Sequence, residues 1–268
     1  NSRMEKKNEK LMQARIKEYL AAGVAPLEWR LYPVLKISDG SSLGYFSKLF
    51  VNSLKLGAIA PETYEPCTVS TLRGAKLAMW QLEETDRLFS ALLAKGRTLP
   101  MITISMPLKM FLGKTAKRAF SDFLKTLSPQ KANKICLAFT PEILFMKPEE
   151  VNPKLEETAE TGIKTALTGY GEEYCPPLRL KGLKFDYVYF APEFSLALER
   201  GETDVKALAG MAKELGFTCI GQLFHSEKYL PPEKMPSLEE NYLADYATGG
   251  AGNTVKELFG NIFGEEKA

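Results

Sequence analysis

The chain has 268 residues, 45% hydrophobic and 25% charged, the composition of a globular protein with one large or two small domains. Its formal net charge of +2 gives no electrostatic ground for nucleic-acid binding. No apolar run reaches the roughly 18 residues a membrane helix needs, and the stretch from Leu99 to Gly113 is broken by Pro100, Pro107 and Lys109. Residues 4 to 22 then read as a helix with a stripe of Met12, Ile16, Tyr19 and Leu20, ended by Gly23 and Pro26. Three roles stay open for it: packing on the following domain, the tail of a connecting helix, or a dimer contact. Trp29 to Ile37 and Leu43 to Phe50 are strand-like, and the linker from Ser38 to Ser42 has hairpin length, so the pair should be antiparallel.

Beyond this hairpin, helices and strands alternate. Leu72, Ala75, Met79, Leu82, Phe89 and Leu93 mark one helix face. Met101–Met106, Ile135–Thr140, Ile163–Leu167, Phe185–Phe190, Phe217–Ile220 and Tyr242–Ala247 are short apolar strands. Helices are predicted over 116–127, 156–161, 204–215 and 255–263. Buried parallel strands linked by crossover helices have this pattern, and eight strands close a barrel of about 250 residues. An open doubly wound sheet is the rival, but no GxGxxG follows the first strand. The predicted fold is α/β, a TIM-type (β/α)8 barrel with its first strand antiparallel. Residues 1–27 form an N-terminal helix and linker, and 28–268 the barrel.

In such barrels the reacting groups sit after the strands. Here those positions hold Phe46, Ser105, Ala138, Thr168, Gly169, Tyr189, Gln222 and Thr248. They offer neutral hydroxyls and one amide, where metal-assisted hydrolysis needs converging carboxylates or imidazoles. Cys67, Cys136, Cys175 and Cys219 form no CxxC pair and His225 is the only histidine, which argues for reduced, buried thiols, a cytoplasmic setting and no zinc site. The start lacks the apolar core of a signal peptide.

Several strings, in this order and spacing, carry a resemblance. They are Leu43-Gly-Tyr-Phe-Ser-Lys-Leu, Gly57-Ala-Ile-Ala-Pro-Glu-Thr-Tyr, Leu137-Ala-Phe-Thr-Pro, Gly162-Ile-Lys-Thr-Ala-Leu-Thr-Gly-Tyr-Gly, Asp186-Tyr-Val-Tyr-Phe-Ala and Glu214-Leu-Gly-Phe-Thr-Cys-Ile-Gly-Gln. Together, from about Glu28 to Asn253, they resemble the EAL domain family, the bacterial cyclic-di-GMP phosphodiesterases. The resemblance implies where that family's working residues would fall. Phe46 stands at its metal-binding glutamate, Phe50 at its phosphate-holding arginine, Ser105 at its asparagine and Ala138 at its next glutamate. Thr168 and Gly169 replace the paired aspartates, Tyr189 the lysine and Ala191 the aspartate after it. Gln222 replaces the seventh-strand glutamate, His225 its second glutamate and Thr248 the glutamine near the eighth strand.

With those positions changed, two metal ions would lack a hard-oxygen cage. No catalytic residue, metal or cofactor is therefore assigned. One phosphate-like feature remains, Gly249, Gly250 and Gly252 before the last helix, where backbone N–H groups could meet an anion. The plainer reading is a turn with Asn253 or Thr254 capping the helix. Glu172 and Glu173 read as solvated loop residues, His225 as a loop histidine, and Lys228–Pro236 as a surface connection. The expectation is a catalytically inactive EAL-like domain that acts as a regulatory protein-interaction module, with a protein partner or a second copy. A non-hydrolysing cyclic-di-GMP receptor is the alternative. A new enzymatic activity at the same mouth is a weaker third, with no nucleophile and base to support it.

Overall fold

A computed structural model describes residues 27–53, 57–68, 72–112, 114–172, 175, 177–223, 231–238 and 243–264, together with Lys7, Lys10, Leu11 and Ala14. Those four isolated residues are helical and exposed, while the expected stripe of Met12, Ile16, Tyr19 and Leu20 lies outside the described residues.

Ten strands form one sheet: β1 (Leu27–Lys36), β2 (Ser42–Ser53), β3 (Gly57–Ile59), β4 (Met101–Ser105), β5 (Ile135–Phe139), β6 (Lys164–Tyr170), β7 (Tyr187–Phe190), β8 (Thr218–Leu223), β9 (Tyr246–Gly249) and β10 (Asn253–Thr254). From β2 through β4 to β9 every neighbour is parallel. β1 runs the other way and pairs antiparallel with both β2 and β9, which closes an eight-strand barrel. β3 folds back on the end of β2, and β10 adds to β1. The barrel and its antiparallel entry strand agree with the reading of the sequence. The three-residue β3 and two-residue β10 are too short to show a period of their own.

The sheet separates two cores. Outside it, helices cover an apolar face; α2 (Leu72–Ala94), which follows the short α1 (Pro61–Thr68), buries Ala75, Ala78, Leu82, Leu88, Phe89 and Leu92 at helical spacing. Met79 and Leu93, expected on that face, are only partly buried. Inside the barrel lie Val34, Phe46, Met101, Cys136, Ala138, Ala166, Tyr189 and Ile220. Cys136, Cys175 and Cys219 are free, buried thiols; burial pushes Cys175 up to about 11 and Cys219 to about 12, so neither ionises near neutrality. The side chain of Cys67 lies outside the described residues.

Later elements also differ in extent from expectation. The helix expected over 156–161 begins eight residues earlier, at Pro148, and runs to Glu160, because proline is well placed in a first helical turn. The strand expected at Tyr242–Ala247 is Tyr246–Gly249. Part of the connection at Lys228–Pro236 is a 3₁₀ helix, Pro232–Leu238.

One glycine is demanded by the seam between β2 and β4. Gly44 has φ +146°, and a Cβ there would lie 2.0 Å from the carbonyl oxygen of Met101, with which it is paired in register. Neither backbone can withdraw without breaking the ladder. Gly44→Ala is expected to destabilise the protein by about 2 kcal/mol or more, read as a lowered thermal midpoint with unchanged far-UV dichroism.

Candidate functional site

Strand geometry places alternate side chains inside the barrel. Two residues beyond the inner layer of Phe46, Thr103, Ala138, Ala166 and Ile220 come Lys48, Ser105, Thr140, Thr168 and Gln222. These line a cavity of about 280 Å³ at the C-terminal ends of the parallel strands, floored by Phe46. Gly169, Gln81, Pro61, Pro141 and Pro192 complete much of its wall.

Of the positions singled out in the sequence, Phe46, Ser105, Thr168, Gly169 and Gln222 are thus brought together. Ala138 and Tyr189 lie one layer deeper in the barrel interior, where the Tyr189 ring sits 5.2 Å from that of Phe46. The Tyr189 hydroxyl reaches Thr103 Oγ1 at 3.5 Å, and burial holds its pKa far above the usual phenol value. Phe50 stands apart, with the Arg30 guanidinium 5.5 Å from its ring centroid. Ala191 is buried at the start of the helix Pro192–Glu199. Thr248 is fully buried beside Gln222 in the β8–β9 register. The glycine turn lies against Tyr32: a Cβ on Gly252 would meet that ring at 2.7 Å. Thr254 Oγ1 accepts from the Glu257 N–H and caps the last helix, Val255–Phe259, which is the plainer of the two readings of that segment. His225 and Glu173 lie outside the described residues.

The sequence reading missed a ring of carboxylates. Glu62, Glu65, Glu142 and Glu172 also line the cavity, so Glu172 is more than the solvated loop residue expected. The placement of Glu62 and Glu142 has a local cause. Pro61-Glu62, Pro141-Glu142 and Pro192-Glu193 each open a helical turn just beyond a strand. Proline fits a first helical position, and an acid there is favoured by the helix dipole. Pro61-Glu62 and Pro141-Glu142 were readable as helix starts after strands, though not as parts of one rim.

Among the described residues, one cation lines the cavity beside them. Its Nζ, on Lys48, pairs with Glu62 Oε1 at 2.5 Å and stands 5.4 Å from the Tyr32 ring centroid. Thr140 Oγ1 donates to Glu142, and Thr168 Oγ1 donates to the Phe139 carbonyl at 3.2 Å. Burial, then repulsion from Glu62 and Glu142 against the pull of Lys48, lifts Glu65 to about 7. Partial desolvation, with repulsion from Glu142 and Glu193, raises Glu172 as well. Yet the acids are spread around the rim: among the described residues no three His, Cys, Asp or Glu side chains are grouped to hold one metal ion. Chemically, the mouth combines an aromatic floor, neutral hydrogen-bonding groups at the strand ends and an acidic rim.

The pattern of the EAL domain family matches residues 26–229. No curated protein sequence matches the chain significantly. Among solved structures, the PaMucR phosphodiesterase in complex with c-di-GMP superposes with a TM-score of 0.73 at 17% identity, covering 91% of this chain and 98% of that one. The EAL domain of Mycobacterium smegmatis DcpA gives 0.59 at 16% identity, covering 83% and 90%. The S helix-GGDEF-EAL unit of Vibrio cholerae LapD gives 0.70 at 13% identity, and this chain spans 56% of its length. These likenesses are of fold. Among the described residues no helix is long and apolar enough to cross a membrane.

Proposed function

Since the chain belongs to the EAL domain family, we propose that it is a non-hydrolysing member, a regulatory protein-interaction module in cyclic-di-GMP signalling. The observation that carries the reading is the barrel mouth. Ser105, Thr168, Gly169 and Gln222 supply no charge at the strand ends, and Phe46 fills the floor where the family's resemblance calls for a metal-binding glutamate. The residues present do not fit the two ions that such hydrolysis uses, because the rim carboxylates are dispersed rather than convergent. A dianionic nucleotide would meet Glu62, Glu65, Glu142 and Glu172, with Lys48 the one compensating cation among the described residues of the lining.

A surface feature supports the interaction role. Phe145 and Leu178 are 71% and 79% exposed and line one groove with Lys147, Arg179 and Lys181. Large apolar side chains of that exposure, rimmed by cations, suit a partner with an apolar and acidic face, or a second copy.

Incubation of the purified protein with cyclic-di-GMP and magnesium or manganese is expected to give no linear dinucleotide above the rate in buffer. Turnover abolished by a chelator would overturn the reading. Saturable binding without turnover would make the protein a nucleotide receptor instead.

A further inference from the structure

Gln222 is 8% exposed and follows Ile220 on the inward face of β8, so its side chain points into the mouth. Its backbone N–H is fixed by Ser195 Oγ at 2.9 Å, whereas its carboxamide makes no hydrogen bond among the described residues. Beside it in register, Thr248 is fully buried and its Oγ1 also lacks a partner among them. Buried polar groups are almost always paired, and the Gln222 carboxamide, which lines the open cavity without a partner among the described residues, leaves room for a ligand to complete it, with the enclosed Thr248 hydroxyl behind it. Around the same cavity the carboxylates of Glu65, Glu142 and Glu172 face a lysine already engaged with Glu62.

We propose that this cavity binds an organic cation, a protonated primary amine or guanidinium on a short chain. Its N–H groups meet the open carboxamide of Gln222 and the hydroxyls beside it, while its charge is balanced by Glu65, Glu142 and Glu172. The chemistry selects this class. The oxygens of Gln222, Ser105 and Thr168 can all accept hydrogen bonds, and the rim repels anions. Dispersed carboxylates suit an extended cation better than a metal ion, which needs its ligands converged. A cavity of about 280 Å³ lies near the small end of the roughly 300–1,000 Å³ typical of ligand sites. The proposal rests on the reading that the mouth does not hydrolyse cyclic-di-GMP, and the two fail separately.

Agmatine and spermidine would be titrated calorimetrically into the full chain at constant ionic strength, at pH 8 and pH 6. Saturable one-to-one binding is expected, at least tenfold weaker in Gln222→Leu and in the double variant Glu142→Gln/Glu172→Gln. Glu142 and Glu172 are exposed, so a melting temperature no lower than the parent's would show that the double variant is folded. Binding should also weaken at pH 6, where Glu65, faced by Glu62, Lys48 and Glu142, takes up a proton. No saturable heat from either amine, or equal affinity in both variants, would overturn the site. Amine silence without cyclic-di-GMP turnover would remove the site alone. Turnover in the same preparation would remove the non-hydrolysing reading, whatever the amines do.

Discussion

Tyr189→Lys, which would install the lysine that the resemblance to the EAL domain family implies on β7, is expected to destabilise the barrel by about 3–5 kcal/mol rather than to restore activity. Tyr189 is fully buried, and its neighbours offer nothing to an ammonium group: Phe46 on one side, Cys136, Ala138 and Ile220 in the same inner core, and one hydroxyl at Thr103. An unpaired buried lysine either carries its charge out of water or releases its proton, and both weaken folding. The aromatic contact with Phe46 at 5.2 Å is lost as well. Tyr189→Phe keeps that contact and removes only a 3.5 Å hydroxyl interaction, so it should change stability by less than about 1.5 kcal/mol. Urea denaturation of the three proteins measures the contrast. Equal stability of Tyr189→Lys and the parent would mean that the ammonium reaches water through the mouth. The family's pattern would then be a matter of local substitution rather than of a rebuilt interior.

The second large effect is a dependence of stability on pH centred on Glu65. Its carboxyl rises from 4.5 to about 7 in the fold, because burial and the Glu62 and Glu142 charges disfavour ionisation. The folded state therefore binds more protons than the unfolded chain between those values, and stability falls as pH rises through that window. The full span corresponds to about 3 kcal/mol at one pKa unit per 1.36 kcal/mol. Glu172, also raised, acts in the same direction. Denaturation midpoints at pH 5 and pH 8 should differ, with pH 5 the more stable. Glu65→Gln should remove most of the difference by raising the pH 8 value. A parent protein equally stable at both would show Glu65 to be solvated and its charge unopposed by the rim.

The strands were legible because a barrel buries them on both faces, so each prints a short apolar run between crossover helices. The entry hairpin was legible from the length and polarity of Ser38–Ser42. The rim was not. Glu62, Glu65, Glu142 and Glu172 come from three separate connections and meet only once the barrel has closed. Each looks locally like an acid placed for a helix start or a loop. The Phe46–Tyr189 contact has the same character, since strands β2 and β7 face one another only across the interior. Thr248 and Gln222 were both singled out as substitutions of family residues. That their polar groups lack partners among the described residues depends on side-chain direction and burial, which no spacing rule supplies.

Closure of the barrel through β1 makes folding a problem of ends. Val34 pairs with Gly44 through a hairpin and with Thr248 more than two hundred residues later. On a ribosome the first strand thus waits for the last, and its far edge stays open through most of synthesis. A chain halted before Tyr246 would hold seven of the eight barrel strands, yet leave β1 and β8 as two unpaired edges. Such a nascent chain would be apt to pair with a neighbouring copy instead of with itself, so production of this protein should be most sensitive to premature stops and slow codons just before and within β9.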